Sequence, residues 1–351
     1  MTGIDEPRDS SAAAGDSASL VIDTHVHALP ARLLDEITRR ELDGVSAVRG
    51  DGGWRVSLPG DPRPRLVRPP MADAGQRAAW ARAQGITAQI VSPWLDAQPT
   101  GAMPAAAARD WARRLNAALS EQEQGHGVLA TVAVTSDAAR DLEDAVGRDG
   151  MDGLVLSTNP PGVTGLADPA LHGLWETAAG LGIPVVLHPP SDGPARALPG
   201  GAEFGNTFCR LVDTTLAVTG LLLSGVLDRN PDLRLIVVHG GGFLPYQSMR
   251  LDGGHRADAL SRYVIARDRP SDYLGDLFFD TVALSAASIR FLAGAAGSGQ
   301  VLLGSDYPFP LGDPRPVSTV REAGLGQPAT ASVLGGNAAR LFPTVNRSAH
   351  A

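Results

Sequence analysis

The chain has a single cysteine, Cys209, in 351 residues. One thiol excludes an intramolecular disulfide, and with it the stapled architecture of small secreted domains. Cys209 sits in TFCRLVD, which reads as helix, so a buried structural role is expected rather than a nucleophile. Aromatic residues are scarce at 5%, and the core must lean on Leu, Val, Ile and Ala. No apolar run has the length of a membrane span, which argues against a membrane partner. A basic stretch is absent and the formal net charge is -8, which argues against nucleic acid. An anionic small molecule stays compatible, because a local pocket can oppose the global field. The acidic, Ser/Ala-rich first residues lack the basic start and apolar segment of a signal peptide, so a cytoplasmic location is expected.

Hydrophobic residues make up 43% of the chain, ample for one large core. Residues 1–19 are polar and patternless and are expected to be a disordered tail, leaving 20–345 as one catalytic domain. Residues 44–70 hold short alternating pieces between Gly and Pro, which suggests an insertion, a hairpin, near the mouth of the site. Strands are expected at 21–23, 86–91, 127–133, 152–156, 183–187, 234–238, 276–280 and 301–304. Helical patterns separate them, including one near 255–268. This alternation predicts a single (β/α)₈ TIM barrel of parallel strands. A doubly wound open sheet is the competing topology, but it places ligands at a switch in strand order. No Gly-rich dinucleotide or phosphate loop occurs in the required context.

The polar residues that end these strands carry the chemistry. His25 and His27 in VIDTHVHALP stand two apart, so on a strand both point to one face. Two surface histidines are the bland alternative, but the chain has only eight histidines and these close its first strand. His188 ends PVVLH and is followed by Pro189 and Pro190, which stop the strand and stiffen the loop. Asp306, in VLLGSDYPF, can ligate an ion, orient its water or cap a helix. These four make a metal set of the kind zinc accepts. His239 ends LIVV before three glycines and is better suited to acid–base work near neutral pH, the metal having four candidate ligands without it. Asp280 and Asp23 are expected to hydrogen-bond behind the ligands. Water on such an ion loses its proton near pH 7, which provides a nucleophile without naming its target.

The motifs DTHVH, VVLHP, VVHGGG, LLGSDYPFPLG and GNAARLF, in this order, resemble the amidohydrolase superfamily over about residues 20–343. Within it they resemble the amidohydrolase-2 group and its 2-amino-3-carboxymuconate 6-semialdehyde decarboxylase branch. The resemblance implies that His25, His27, His188 and Asp306 hold the metal. It implies that His239 and Asp306 serve catalysis, with His239 moving protons. Related resorcylate and carboxyvanillate decarboxylases open with Glu-x-His and prefer manganese. His25 at that place favours Zn²⁺, with manganese or another divalent ion as the alternative. The resemblance also matches Arg65, beside Arg63 and Arg68, to a catalytic arginine that grips a substrate carboxylate. It matches Arg250 to one that reaches the partner's site in a homodimer. The chain departs from that branch in the loop after His188, HPPSDGPARALPGG, which has no tryptophan, so the substrate end of the pocket differs.

The expected function is therefore zinc-dependent, non-oxidative decarboxylation of a small conjugated or aromatic carboxylate. The alternative is a metal-dependent hydrolase of a lactone, or a hydratase of an unsaturated dicarboxylate, using the same activated water.

Overall fold

A computed structural model describes residues 20–348, apart from Pro62 and Val264. The expected tail of residues 1–19 lies outside the described residues. Eight parallel strands run in sequence order around one sheet: β1 (Ile22–Ala28), β5 (Ala88–Pro93), β6 (Gly127–Ala130), β7 (Gly153–Ser157), β8 (Pro184–His188), β9 (Arg234–Val237), β10 (Leu277–Asp280) and β11 (Val301–Leu302). No strand crosses over, which rules out the doubly wound alternative. The first and last strands meet through Thr24 N to Leu303 O at 2.8 Å, Asp306 N to His25 O at 2.9 Å and His27 N to Tyr307 O at 3.0 Å. The sheet is thereby a barrel.

Burial on both faces follows from the strand period of two. Ile90, Leu129, Val155, Val186, Ile236 and Leu302 fill the barrel interior, closed below by Phe342. Their neighbours Val91, Leu154, Val185, Leu187, Leu235 and Val237 pack outward under the helices. In β1 the alternation is broken: Ile22 faces the interior, yet Val26 and Ala28 face outward. A register irregularity between Asp23 and Val26 accounts for the switch. It turns His25 and His27 into the barrel, where a regular strand would have aimed them at the helices.

Between β1 and β5 the chain makes a separate antiparallel sheet of β2 (Ser46–Gly50), β3 (Gly53–Ser57) and β4 (Arg65–Leu66). It rests on its own apolar cluster, which includes Leu34, Val56, Met71, Trp94 and Trp111. One helical expectation is corrected. The helix after β9 spans Leu244–Arg256, while residues 257–263 form turns rather than the helix expected at 255–268. Pro245 suits a first helical turn, and Asp258 takes a positive φ of 60°, which a helix cannot carry on through.

Candidate metal centre

His25 and His27 from β1, His188 from the end of β8, His239 just past β9 and Asp306 beyond β11 converge at the C-terminal end of the barrel. One donor atom from each of His25, His188, His239 and Asp306 lies within 4.8 Å of the others. His27 joins them, with Nε2 at 3.1 Å from His25 Nε2 and 3.0 Å from Asp306 Oδ1. Close backbone approach makes this convergence possible. A Cβ on Gly304 would stand 2.9 Å from Asp280 Cβ and 3.1 Å from His25 Cβ. His239 and Asp306 are held at φ of 55° and 60°, a costly region for residues other than glycine. The hydrogen bond from Asp306 N to His25 O and that from Gly240 N to Asp280 Oδ1, 2.8 Å, hold these segments in place.

Three of the imidazoles have their protons assigned by what lies behind them. His25 Nδ1 donates to Asp280 Oδ2 at 2.6 Å, and His188 Nδ1 to the Pro189 carbonyl at 2.8 Å. Ser92 Oγ gives its proton to the Val26 carbonyl and therefore accepts from His27 Nδ1 at 3.1 Å. Each ring then turns a bare Nε2 lone pair inward. His188 Nε2 is buried without a partner. The His25 and His27 Nε2 atoms face each other at 3.1 Å, an arrangement that a proton or a metal cation between them relieves. Donor separations of 3.0, 3.1 and 3.4 Å among His25, His27 and Asp306 match two ligands about 2.0–2.1 Å from one ion at angles near 90–110°. A divalent metal fits these residues.

His239 differs from the other three. Its Nε2 lies 3.7 Å from Asp306 Oδ2, and its buried Nδ1 has no partner, so no group fixes its tautomer. Its side chain is 10% exposed, against 0–3% for His25 and His27. Asp280 sits behind His25 and also binds the amides of Gly240 and Val282. Asp23 accepts from Ser305 N, Ser305 Oγ and His25 N, tying the first strand to the last.

The electrostatics favour the ligand forms of His27, His188 and Asp306, while at His25 burial works downward but the charge of Asp306 and the hydrogen bond to Asp280 outweigh it and favour the protonated ring. Burial holds His27 down at about 4, against the hydrogen bond to Asp306. Burial and then the neighbouring imidazoles put His188 well below its ordinary value. For Asp306, burial works upward, but the charge on His25 and the contacts of His239 and His27 outweigh it and keep the carboxyl well below the usual range. Neutral His27 and His188 beside an ionised Asp306 are what a metal requires, and a bound cation would take the place of the proton on His25.

Two cavities open above the centre. The inner one, about 630 Å³, reaches His239 and Asp306 and is walled by Phe243, Phe309, Val282 and Leu284. Its cations are Arg68, Arg196 and Arg210. The outer one, about 830 Å³, lies under the β2–β4 excursion and includes Arg65 and Arg63. Arg65 is ion-paired with Asp61, Asp192 and Asp96, the last at 3.0 Å, and does not line the inner cavity. Arg250 is exposed on its helix and lines neither cavity. Cys209 is buried, its Sγ 3.3 Å from the Gly201 carbonyl. Residue-level reading missed Arg210, which directly follows that cysteine, and Ser92, which orients His27. Neither carries a local signal: both are marked only by what they meet in space.

Known proteins resemble this chain in sequence and in fold. A 2-amino-3-carboxymuconate-6-semialdehyde decarboxylase of Dictyostelium discoideum is 28% identical over 212 residues, 58% of this chain and 56% of that protein. The chain thus spans about half the length of that curated relative. A 6-methylsalicylic acid decarboxylase of Aspergillus aculeatus is 30% identical over 275 residues, 71% of this chain and 80% of that protein. Among solved structures, the 5-carboxyvanillate decarboxylase of Sphingomonas paucimobilis shares the fold with a TM-score of 0.76 at 23% identity, covering 93% of this chain and 99% of the other. A dihydroxybenzoic acid decarboxylase of Polaromonas sp., solved with manganese and 2-nitroresorcinol, does so with a TM-score of 0.72 at 22% identity, covering 93% and 97%. No helix among the described residues is long and apolar enough to cross a membrane. Residues 22–344 match the amidohydrolase family, and the chain belongs to it.

Proposed function

We propose that this protein is a zinc-dependent, non-oxidative decarboxylase of a conjugated or aromatic carboxylic acid. The observation that carries the proposal is the inward convergence of three imidazole Nε2 lone pairs on Asp306, at the floor of a cavity walled by arginines and apolar side chains. Relatives named for decarboxylation of such acids support it. We assign His25, His27, His188 and Asp306 to the ion. Metal-bound histidines characteristically donate their second ring N–H to a fixed acceptor, as these three do. A set with three imidazoles suits zinc better than manganese, which takes oxygen-rich sites more readily, although a related structure carries manganese. When bound, the ion supplies Lewis acidity at a substrate oxygen.

His239 has the opposite character, an unfixed tautomer and a face on the cavity, which suits a group that gives and takes a proton. We assign it the proton delivered to the carbon that loses carbon dioxide. Asp306 Oδ2 lies 3.7 Å from its Nε2. We propose a homodimer in which Arg250, exposed and outside both cavities of its own chain, reaches the substrate of the partner subunit. The small-molecule carboxylate is the partner we assign to the cavity, in a cytoplasmic enzyme.

The test is metal analysis of the purified protein, followed by carbon dioxide release from a panel of conjugated and aromatic acids. We expect close to one zinc per chain and stoichiometric release from at least one acid. Opening of a lactone, or water addition without gas release, would give the site to a hydrolase or hydratase instead.

A further inference from the structure

The three arginines of the inner cavity differ in what they touch. Arg196 lies 3.5 Å from Asp192. Arg68 also has no carboxylate partner among the described residues, but it lies over the Phe309 ring, 5.8 Å from its centroid. Arg210 has no carboxylate partner among the described residues. Its Nη2 donates to the neutral Ser191 hydroxyl, and its Nε is buried with no partner at all. Ser191 gives its own proton to Asp96 Oδ2 at 2.6 Å, and Asp96 is in turn paired with Arg65. Asp96 is thus one hydroxyl removed from Arg210 and already engaged.

A partly buried guanidinium without a counter-ion is unfavourable unless something supplies the opposite charge. Its planar fork, oriented by Ser191 and with Nε–H free, suits a carboxylate. We propose that Arg210 binds a second carboxylate of the substrate, one that is retained through the reaction, so that the enzyme selects a conjugated or aromatic dicarboxylic acid.

The choice of the retained carboxylate rests on the decarboxylase assignment above. In that reaction the bond between the framework carbon and the departing carboxylate breaks. Carbon dioxide leaves neutral, and the electron pair stays on the framework carbon and takes a proton. Negative charge therefore disappears from the departing group in the transition state. A guanidinium on that group would stabilise the substrate more than the transition state and slow the reaction. On a carboxylate that keeps its charge, the same guanidinium holds both states alike. It tightens binding at no cost to the chemical step. The apolar walls Phe243, Phe309 and Val282 suit the planar body between the two acid groups.

The test uses the metal-loaded protein and two stable probes, isophthalate and benzoate, with affinities measured by calorimetry. Wild type should bind isophthalate about tenfold or more tightly than benzoate, the worth of one charged hydrogen-bonded pair. Arg210→Gln should bring that ratio close to one, and Arg210→Lys should recover part of it. Equal binding of the two probes by wild type overturns the proposal whether or not the variants fold. So does a ratio that Arg210→Gln leaves unchanged. Carbon dioxide release by wild type from any acid is scored separately. Its absence defeats the decarboxylase assignment, while the probe ratio still decides whether Arg210 grips a second carboxylate.

Discussion

The inner and outer cavities share Asp96, Ser191 and Arg196, yet treat their arginines in opposite ways. In the outer cavity Arg65 is enclosed by three carboxylates, from Asp61, Asp96 and Asp192. Those partners come from the excursion, from the loop after β5 and from the loop after β8, so the pairing pins three loops together. In the inner cavity Arg210 is oriented by a neutral hydroxyl and keeps its charge uncompensated. The same side chain is thus a fastener in one place and a receptor in the other. What separates the two roles is where the counter-ions are. A guanidinium saturated by its own protein has little left to offer a ligand.

The largest expected effect lies at the floor of the inner cavity. His188→Ala should remove a donor whose Nε2 has no other partner, with bound metal falling well below one per chain by elemental analysis and activity falling to background. Retention of a full metal equivalent would sink the assigned ligand set. His239→Gln should next lower kcat by about 10²–10⁴ with the metal retained, since a proton carrier is lost and a ligand is not. Joint loss of metal in that variant would move His239 into the coordinating group.

Asp280→Ala removes the acceptor that orients His25 and binds the Gly240 amide, so metal affinity should fall about 10–100-fold. The smallest effect is expected in the outer cavity. Arg65→Met leaves three carboxylates facing one another and should cost about 1–3 kcal/mol in chemical denaturation. Its effect on KM should be smaller than that of Arg210→Gln. The reverse order, with KM rising steeply and stability untouched, would erase the contrast between the cavities and return the carboxylate grip to Arg65.

Much of the centre was legible along the chain. Strand-end residues of a barrel collect at one end whatever the helices outside do, so DTHVH, VVLH, VVHG and GSDY could be assigned to one site from their order. The helix expected at 255–268 lies too far along the chain, because turn-forming residues such as Asp258 follow the true C-terminus at Arg256. The face to which His25 and His27 turn depends on the irregularity after Asp23, a feature of pairing with β5 that no local pattern discloses. The arginines were the least legible. All 30 basic residues of this chain are arginine, so residue type distinguishes none of them. Arg65, Arg68 and Arg210 differ only in their neighbours.

Sequence by itself determined which chemistry this protein can hold. Strands ending in histidine and aspartate deliver imidazole and carboxylate to one place, because the C-terminal ends of parallel barrel strands all lie at one end of the barrel. Only the tertiary structure decided which charges remain available to a ligand. Asp61, Asp96 and Asp192 reach Arg65, and none reaches Arg210, by the packing of loops far apart in the chain. Coulomb energy depends on distance in space and on burial, and neither is written in the separation of residues along the chain.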